Sequence, residues 1–161
     1  MSFIQDIVCK KKMRIAFLVD GPNILRKAFS VDLVAVRKEV QKYGDVRIAK
    51  IFLDQYASDK LIEAMVNQGF ETVITTGDVD VTLAIDGAEY VFDPKIDMIV
   101  LMTRDTDFRP LLVKARANGK KTMIIGVDFA FSAALRNTAD KVLTFKGNGA
   151  LETVTNDPNE L

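Results

Sequence analysis

Acidic residues recur in this 161-residue sequence where short apolar runs give way to turn residues. Arg14-Ile-Ala-Phe-Leu-Val-Asp20 continues as Gly-Pro-Asn23. Phe70–Thr75 leads through Thr76-Gly77 to Asp78-Val-Asp80, Ile96–Thr103 runs into Arg104-Asp105-Thr-Asp107, and Thr122–Val127 ends at Asp128. If each run is a strand of one parallel sheet, all four deliver carboxylates to the same edge, where ligands of open α/β sheets bind. Crowded carboxylates repel and raise one another's pKa unless a cation lies among them. Hard oxygen ligands select Mg²⁺ or Mn²⁺, and such a site can activate water and stabilise charge on a phosphate.

Composition narrows the chemistry further. There is no histidine and a single cysteine, Cys9. This excludes His-based triads and imidazole or thiolate zinc sites. The 22 basic and 22 acidic side chains cancel overall, but unevenly along the chain. Residues 1–60 hold 12 basic and 7 acidic groups, a balance of +5; residues 61–112 hold 3 and 10, a balance of −7; residues 113–161 hold 7 and 5, a balance of +2. Catalysis therefore falls to carboxylates, hydroxyls, lysine, tyrosine or an oxygen-held metal.

The elements that must position these acids alternate along the chain. Strands are predicted at Arg14–Asp20, Val46–Leu53, Phe70–Thr75, Ile96–Thr103, Thr122–Val127 and, as a final edge strand, Lys141–Phe145. Between them, helical spacing of apolar residues predicts helices over Val31–Tyr43 with Ser30 as cap, over Ser58–Gln68, and from Val79 to before Pro94. Two more are predicted over Asp107–Asn118, with Gly119 as stop, and Ala130–Asn137. Alternating strands and helices imply βαβ crossovers, hence an α/β domain with a mostly parallel sheet and helices on both faces. Residues 1–12 form an apolar and basic segment, 13–146 the domain, and 147–161 a polar tail. Asp86 falls on the apolar stripe of Val79, Leu83 and Tyr90, so it either has a buried partner near the site or marks a shifted helix register.

Simpler roles exist for these acids. Asp20, Asp78 and Asp105 could each cap the helix that follows, and Asp128 reads as a loop acid. The pair Asp105 and Asp107 exceeds what one cap requires. Other constellations fail: there is no Gly-rich dinucleotide or phosphate loop, no second acid two residues after Asp20, and no base beside Ser132 or Thr106.

The same residues carry a family resemblance. Phe17-Leu-Val-Asp20-Gly-Pro-Asn23, Val79-Asp80-Val-Thr-Leu-Ala-Ile-Asp86, Thr103-Arg104-Asp105-Thr-Asp107-Phe108 and Gly119–Gly126 with Ser132, Leu135, Ala139 and Asp140 stand in the order of the NYN domain. The chain resembles in particular the LabA-like branch of this PIN-like nuclease superfamily, from about Arg14 to Phe145. The resemblance implies a PIN-like, Rossmann-like three-layer fold. It implies that Asp20, Asp80, Asp105 and Asp107 converge on Mg²⁺ or Mn²⁺ with Asn23 beside them, and that the chemistry is RNA cleavage. Two departures stand out: Gly77-Asp78 replaces a common Lys-Gly, and Thr103-Arg104 replaces a common Ser-Gly. Arg104 either supplies a cation at the substrate or fills the cleft.

Three functions follow in order: a metal-dependent ribonuclease, a weak or inactive module binding RNA or a protein, and a metal-dependent phosphatase. Arg26 and Lys27 are weak candidates for phosphate contact, with a solvated helix face as the alternative. Phe3, Ile4, Ile7 and Val8 form an apolar cluster that packs on its own domain or on a second copy, which would make a homodimer. No apolar run has membrane-spanning length, the amino terminus lacks signal-peptide character, and a lone thiol suits a reducing cytoplasm.

Overall fold

The run Ile15–Val19 is buried without interruption, as a strand covered on both faces must be. In the computed structural model, which describes residues 11–25, 31–127, 132–145 and 151–155, this run is the middle of β1 (Met13–Asp20) at the centre of a sheet. Its neighbours are β2 (Gly44–Asp54) on one side and β4 (Met98–Met102) on the other, both parallel to it. With β3 (Glu71–Thr75), β5 (Lys121–Val127), β6 (Lys141–Phe145) and β7 (Leu151–Thr155), the sheet runs β3-β2-β1-β4-β5-β6-β7. The first six strands are parallel and β7 is antiparallel to β6.

Alternation along β1 divides the core in two. Ile15, Phe17 and Val19 pack with Val36 and Val40 of α2 (Leu33–Gln41) and Met65 of α3 (Asp59–Asn67). Ala16 and Leu18 face the other layer. There they meet Leu83 and Val91 of α4 (Val79–Phe92), Leu112 and Ala115 of α5 (Arg109–Ala117), and Leu135 of α6 (Ala133–Arg136). The chain thus leaves β1 toward one layer and β4 toward the other, so a crevice opens between their carboxyl ends. A one-turn helix, α1 (Gly21–Ile24), and a 3-10 turn, Thr106–Phe108, sit at that crevice.

Several sequence expectations are corrected. The cap of α2 is Asp32, whose carboxylate accepts from the Val34 and Ala35 N–H groups; Ser30 lies outside the described residues. The cap of α3 is Ser58, which accepts from Leu61 N–H. Lys141–Phe145 is not the edge strand, because part of the expected polar tail, Leu151–Thr155, pairs with it. The β-branched Thr153-Val-Thr155 favours a strand despite its polar flanks, and the added strand shields the edge of β6. The buried face of α4 is centred on Val79, Leu83, Gly87 and Val91, one residue on from the predicted stripe. Asp86 is turned toward Lys50 of β2 as a result.

At the amino-terminal end of the sheet, Arg14 clamps the turn before β4. Its N–H, Nε and Nη2 donate to the Asp97 carboxylate at 2.8, 2.9 and 3.1 Å. These bonds hold the Asp97 pKa down to about 2, against the opposing effect of burial. A carboxyl group with a lowered folded pKa stabilises above its ordinary value of 3.8 and loses that contribution as pH falls toward 2. With both side chains a quarter to a third exposed, Asp97→Ala is expected to cost about 1 kcal/mol at pH 7. Urea unfolding at pH 7 and pH 2.5 checks this, the difference from wild type shrinking at the lower pH.

Candidate metal and phosphodiester site

Val19 of β1 pairs with Met102, the last residue of β4, so Asp20 at the end of β1 lies beside Thr103, the first residue past β4. Both are buried, Asp20 with 1% of its surface exposed and Thr103 with none. Thr103 Oγ1 donates to Asp20 Oδ2 at 2.9 Å and accepts from the Asp105 N–H at 3.1 Å. Asn23 Nδ2 donates to the same Asp20 oxygen. Asp20 occupies the cap position of α1, yet its side chain caps nothing. Its other oxygen, Oδ1, is buried and has no hydrogen-bond partner among the described residues. A fully buried carboxylate oxygen left without a donor is costly unless a cation compensates it.

The turn that carries Asn23 depends on Gly21. A Cβ there would stand 2.5 Å from the Phe52 carbonyl oxygen of β2, so only glycine lets the backbone bend this close to the neighbouring strand.

Asp80 and Asp105 complete the acidic group. The Asp80 pKa is pushed up to about 6, first by burial, then by the charges of Asp20 and Asp105, by a side-chain hydrogen bond with Asp105, and by the charge of Asp78. The structure therefore brings Asp20, Asp80, Asp105 and Asp78 into one electrostatic neighbourhood. Asp78 and Asp105 are also caps: Asp78 accepts from Asp80 N–H at 2.9 Å, and Asp105 from Asp107 N–H at 2.9 Å. For these two, capping and clustering coexist, because one carboxylate oxygen suffices for a cap. Among the described residues, no three His, Cys, Asp or Glu side chains form a ready-made metal cage. A small hard cation that keeps much of its water shell needs only one or two carboxylates. The unpartnered Asp20 oxygen beside Asp80 and Asp105 fits such an ion.

The remaining expected residues are placed less centrally. Asp107 is exposed in the 3-10 turn and is not among the charges acting on Asp80. Asp86 joins Lys50 Nζ at 3.1 Å, so its partner is a lysine rather than the other acids. Arg104 Nε donates to the Asn23 carbonyl at 3.2 Å, which ties the turn after β4 to the turn after β1. Gly77 N–H donates to Thr75 Oγ1 in the bend before α4. Arg26, Lys27 and Asp128 lie outside the described residues, as does the apolar cluster Phe3, Ile4, Ile7 and Val8. Arg37, near them in sequence, donates to the Gly69 carbonyl and lies over the Phe70 ring.

Lys50 was missed from sequence. Its ammonium also lies 5.5 Å from the Tyr90 ring centroid and 3.8 Å from Glu71. Burial lowers its pKa, but the hydrogen bond to Asp86 and the neighbouring Tyr90 raise it by more. The available signal was a lysine inside an apolar strand run, Ile48-Ala-Lys50-Ile-Phe52.

Thr103 gives a test of how the site is held. Thr103→Val keeps shape but removes the donor to Asp20 and the acceptor for Asp105 N–H, leaving polar groups unpaired. The expected cost is about 1–3 kcal/mol, measured by thermal unfolding, with Thr103→Ser close to wild type.

Similarity to other proteins agrees with this architecture. A protein of unknown function from Vibrio parahaemolyticus shares the fold with a TM-score of 0.74 and 25% identity, over 84% of this chain and 94% of that one. An uncharacterized protein of Methanocaldococcus jannaschii is 53% identical over 134 residues, 83% of this chain; the match spans 56% of that relative's length. Residues 14–146 match the profile of the NYN domain as a whole, a broader group than its LabA-like branch. The match runs from the first residues of β1 to just beyond β6 and so contains every element of the crevice. The chain belongs to the NYN-domain family, and with it to the PIN-like nuclease group.

Proposed function

We propose that the chain is a metal-dependent ribonuclease of the LabA-like type, and that Asp20, Asp80 and Asp105 hold Mg²⁺ or Mn²⁺. The observation that carries this reading is the buried Asp20 Oδ1, without a donor among the described residues and electrostatically coupled to Asp80. Such an ion, when bound, polarises a phosphodiester and lowers the pKa of a coordinated water. The protein's own groups do the rest. Thr103 and Asn23 fix one Asp20 oxygen and leave the other without a donor among the described residues, so it would be available to hold the ion. Asp105 is held by its capping bond to Asp107 N–H. Asp80 orients the attacking water. Asp107, exposed at the margin, would add negative charge near a bound ion, as would Asp78. RNA is the substrate class on family grounds, since NYN domains are generally nucleic-acid binding.

A second reading keeps the fold and RNA binding without turnover. It is favoured by one observation: Arg104, which stands where the resembled family often has glycine, is engaged with the Asn23 carbonyl. Incubation of a labelled single-stranded RNA with protein and Mn²⁺, with and without a chelator, separates the two. The ribonuclease reading expects chelator-sensitive cleavage that Asp105→Asn abolishes. RNA retention without products supports the binding module. Hydrolysis of a generic phosphomonoester that RNA does not compete away identifies a phosphatase instead.

A further inference from the structure

The helix α4 is apolar on both of its sides. Val79, Leu83, Gly87 and Val91 are buried against the sheet and α5. On the opposite side Val81, Ile85 and Phe92 expose 54%, 59% and 60% of their surface, with Ala88 between the last two. The spacing 81, 85, 88, 92 is four, three, four, the seam of a helix that packs against another helix. A surface helix ordinarily carries one apolar stripe, whereas α4 carries two, and among the described residues nothing covers this second seam. With 14 residues α4 is about 21 Å long, so the seam runs most of its length.

The ends of the helix carry opposite charge. Asp78 and Asp80 stand at its amino end. At its carboxyl end Lys114 of α5 lies 5.8 Å from the Phe92 ring centroid, Lys95 follows in the next turn, and Lys120 is bonded to the Asp93 and Ile96 carbonyls. These three lysines outnumber Glu89 and Asp93 there. Helices paired antiparallel across a two-fold axis set each acidic end against a basic end and align opposite macrodipoles. The same axis sets Val81 against Phe92 and Ile85 against Ala88 of the second copy, a large residue facing a smaller one each time.

We infer that the chain forms a two-fold homodimer through the outer face of α4, packed antiparallel on α4 of a second copy. The interface does not depend on the nuclease reading. It flanks the acidic crevice rather than covering it, because Asp80 is turned toward Asp20 and Asp105.

Sedimentation equilibrium on the full chain at tens of micromolar tests this. The expected mass is twice the 17.9 kDa of the monomer, falling to the monomer mass in Ile85→Glu with an unchanged far-ultraviolet circular dichroism spectrum. Phe92→Glu, at the other end of the seam, repeats the result and guards against a local folding defect. Ala88→Lys alone is monomeric, and mixing it with Ile85→Glu restores the dimer mass, since the axis sets position 85 against 88. A monomeric wild type, as when residues 3–8 or an unrelated partner cover the seam, overturns the inference. So does a dimer that survives Ile85→Glu, or two single variants that fail to recombine.

Discussion

If the proposed ribonuclease activity is correct, Asp20→Asn is expected to lower metal-dependent RNA cleavage by more than about a hundredfold and to leave the protein folded. The activity loss follows from removing a carboxylate whose buried oxygen has no hydrogen-bond partner among the described residues. The retained fold follows from the hydrogen bonds around it. An asparagine carbonyl can still accept from Thr103 and Asn23, the two donors on Asp20 Oδ2. Its amide then takes the position of the unpartnered oxygen, beside carboxylates able to accept from it. A buried negative charge is removed at the same time, which relieves a cost rather than adding one. Cleavage rates and thermal unfolding measured on the same preparation check both halves. Equal cleavage by the two proteins would place the activity elsewhere.

Asp80→Asn separates stability from function in opposite directions. The folded pKa of Asp80, about 6, lies above its ordinary 3.8. A carboxyl group shifted this way contributes stability that is fully present below about pH 4 and lost as pH rises through about 6. At pH 8 without metal, the ionised group is therefore a burden that asparagine removes. Discounted for the solvent access of Asp80, the gain is about 1 kcal/mol, or roughly 2–4 °C in Tm. At pH 4 the gain disappears. With saturating Mn²⁺ the order reverses, because an ion that binds only the folded wild type stabilises it by mass action. On the proposed ribonuclease reading, cleavage is expected to fall by more than about a hundredfold. Melting curves at pH 4 and pH 8, with and without Mn²⁺, test each part. A variant less stable than wild type in metal-free solution at pH 8 would mean that Asp80 is held by favourable contacts, not by repulsion.

These effects are large because several local rules are broken at one place. Elsewhere the chain obeys them, which is why its architecture could be read from the sequence. Strand β1 reads as a buried strand since Ile15–Val19 is uniformly apolar, and Gly69 and Gly119 end their helices with φ of +84° and +75°. The alternation of strands and helices leads to the parallel sheet with little ambiguity. What was not legible depended on tertiary partners. Thr153-Val-Thr155 became a strand because the outer side of β6 was open to pairing, which no local pattern announces. Asp32 outcompeted Ser30 as the expected cap because the helix begins two residues later. Asp86 fell on the predicted stripe because the true face of α4 includes Gly87, whose missing side chain hides it from apolar periodicity. A Cβ at Gly87 would lie 2.7 Å from Leu111 Cδ2, so the gap in the pattern is where Leu111 of α5 packs directly against α4.

At the crevice, the sequence showed which acids stand at strand ends but not how each is engaged. Asp20, Asp78 and Asp105 look alike as turn acids. In the structure Asp78 and Asp105 cap their helices, while Asp20 is buried by its neighbours and caps nothing. The difference lies in Thr103 and Asn23, which reach Asp20 from another strand and from the following turn. Arg104 could be assigned either to a substrate or to the cleft by sequence. Its bond to the Asn23 carbonyl places it in the wall between the two turns.

The most direct measurement is Mn²⁺ binding to the wild type and to Asp20→Asn, followed by loss of the free-ion electron paramagnetic resonance signal. Saturable binding by the wild type at pH 8 that is lost in Asp20→Asn is the expected result. Equal binding by both proteins, or none by the wild type, would contradict a metal site built on Asp20.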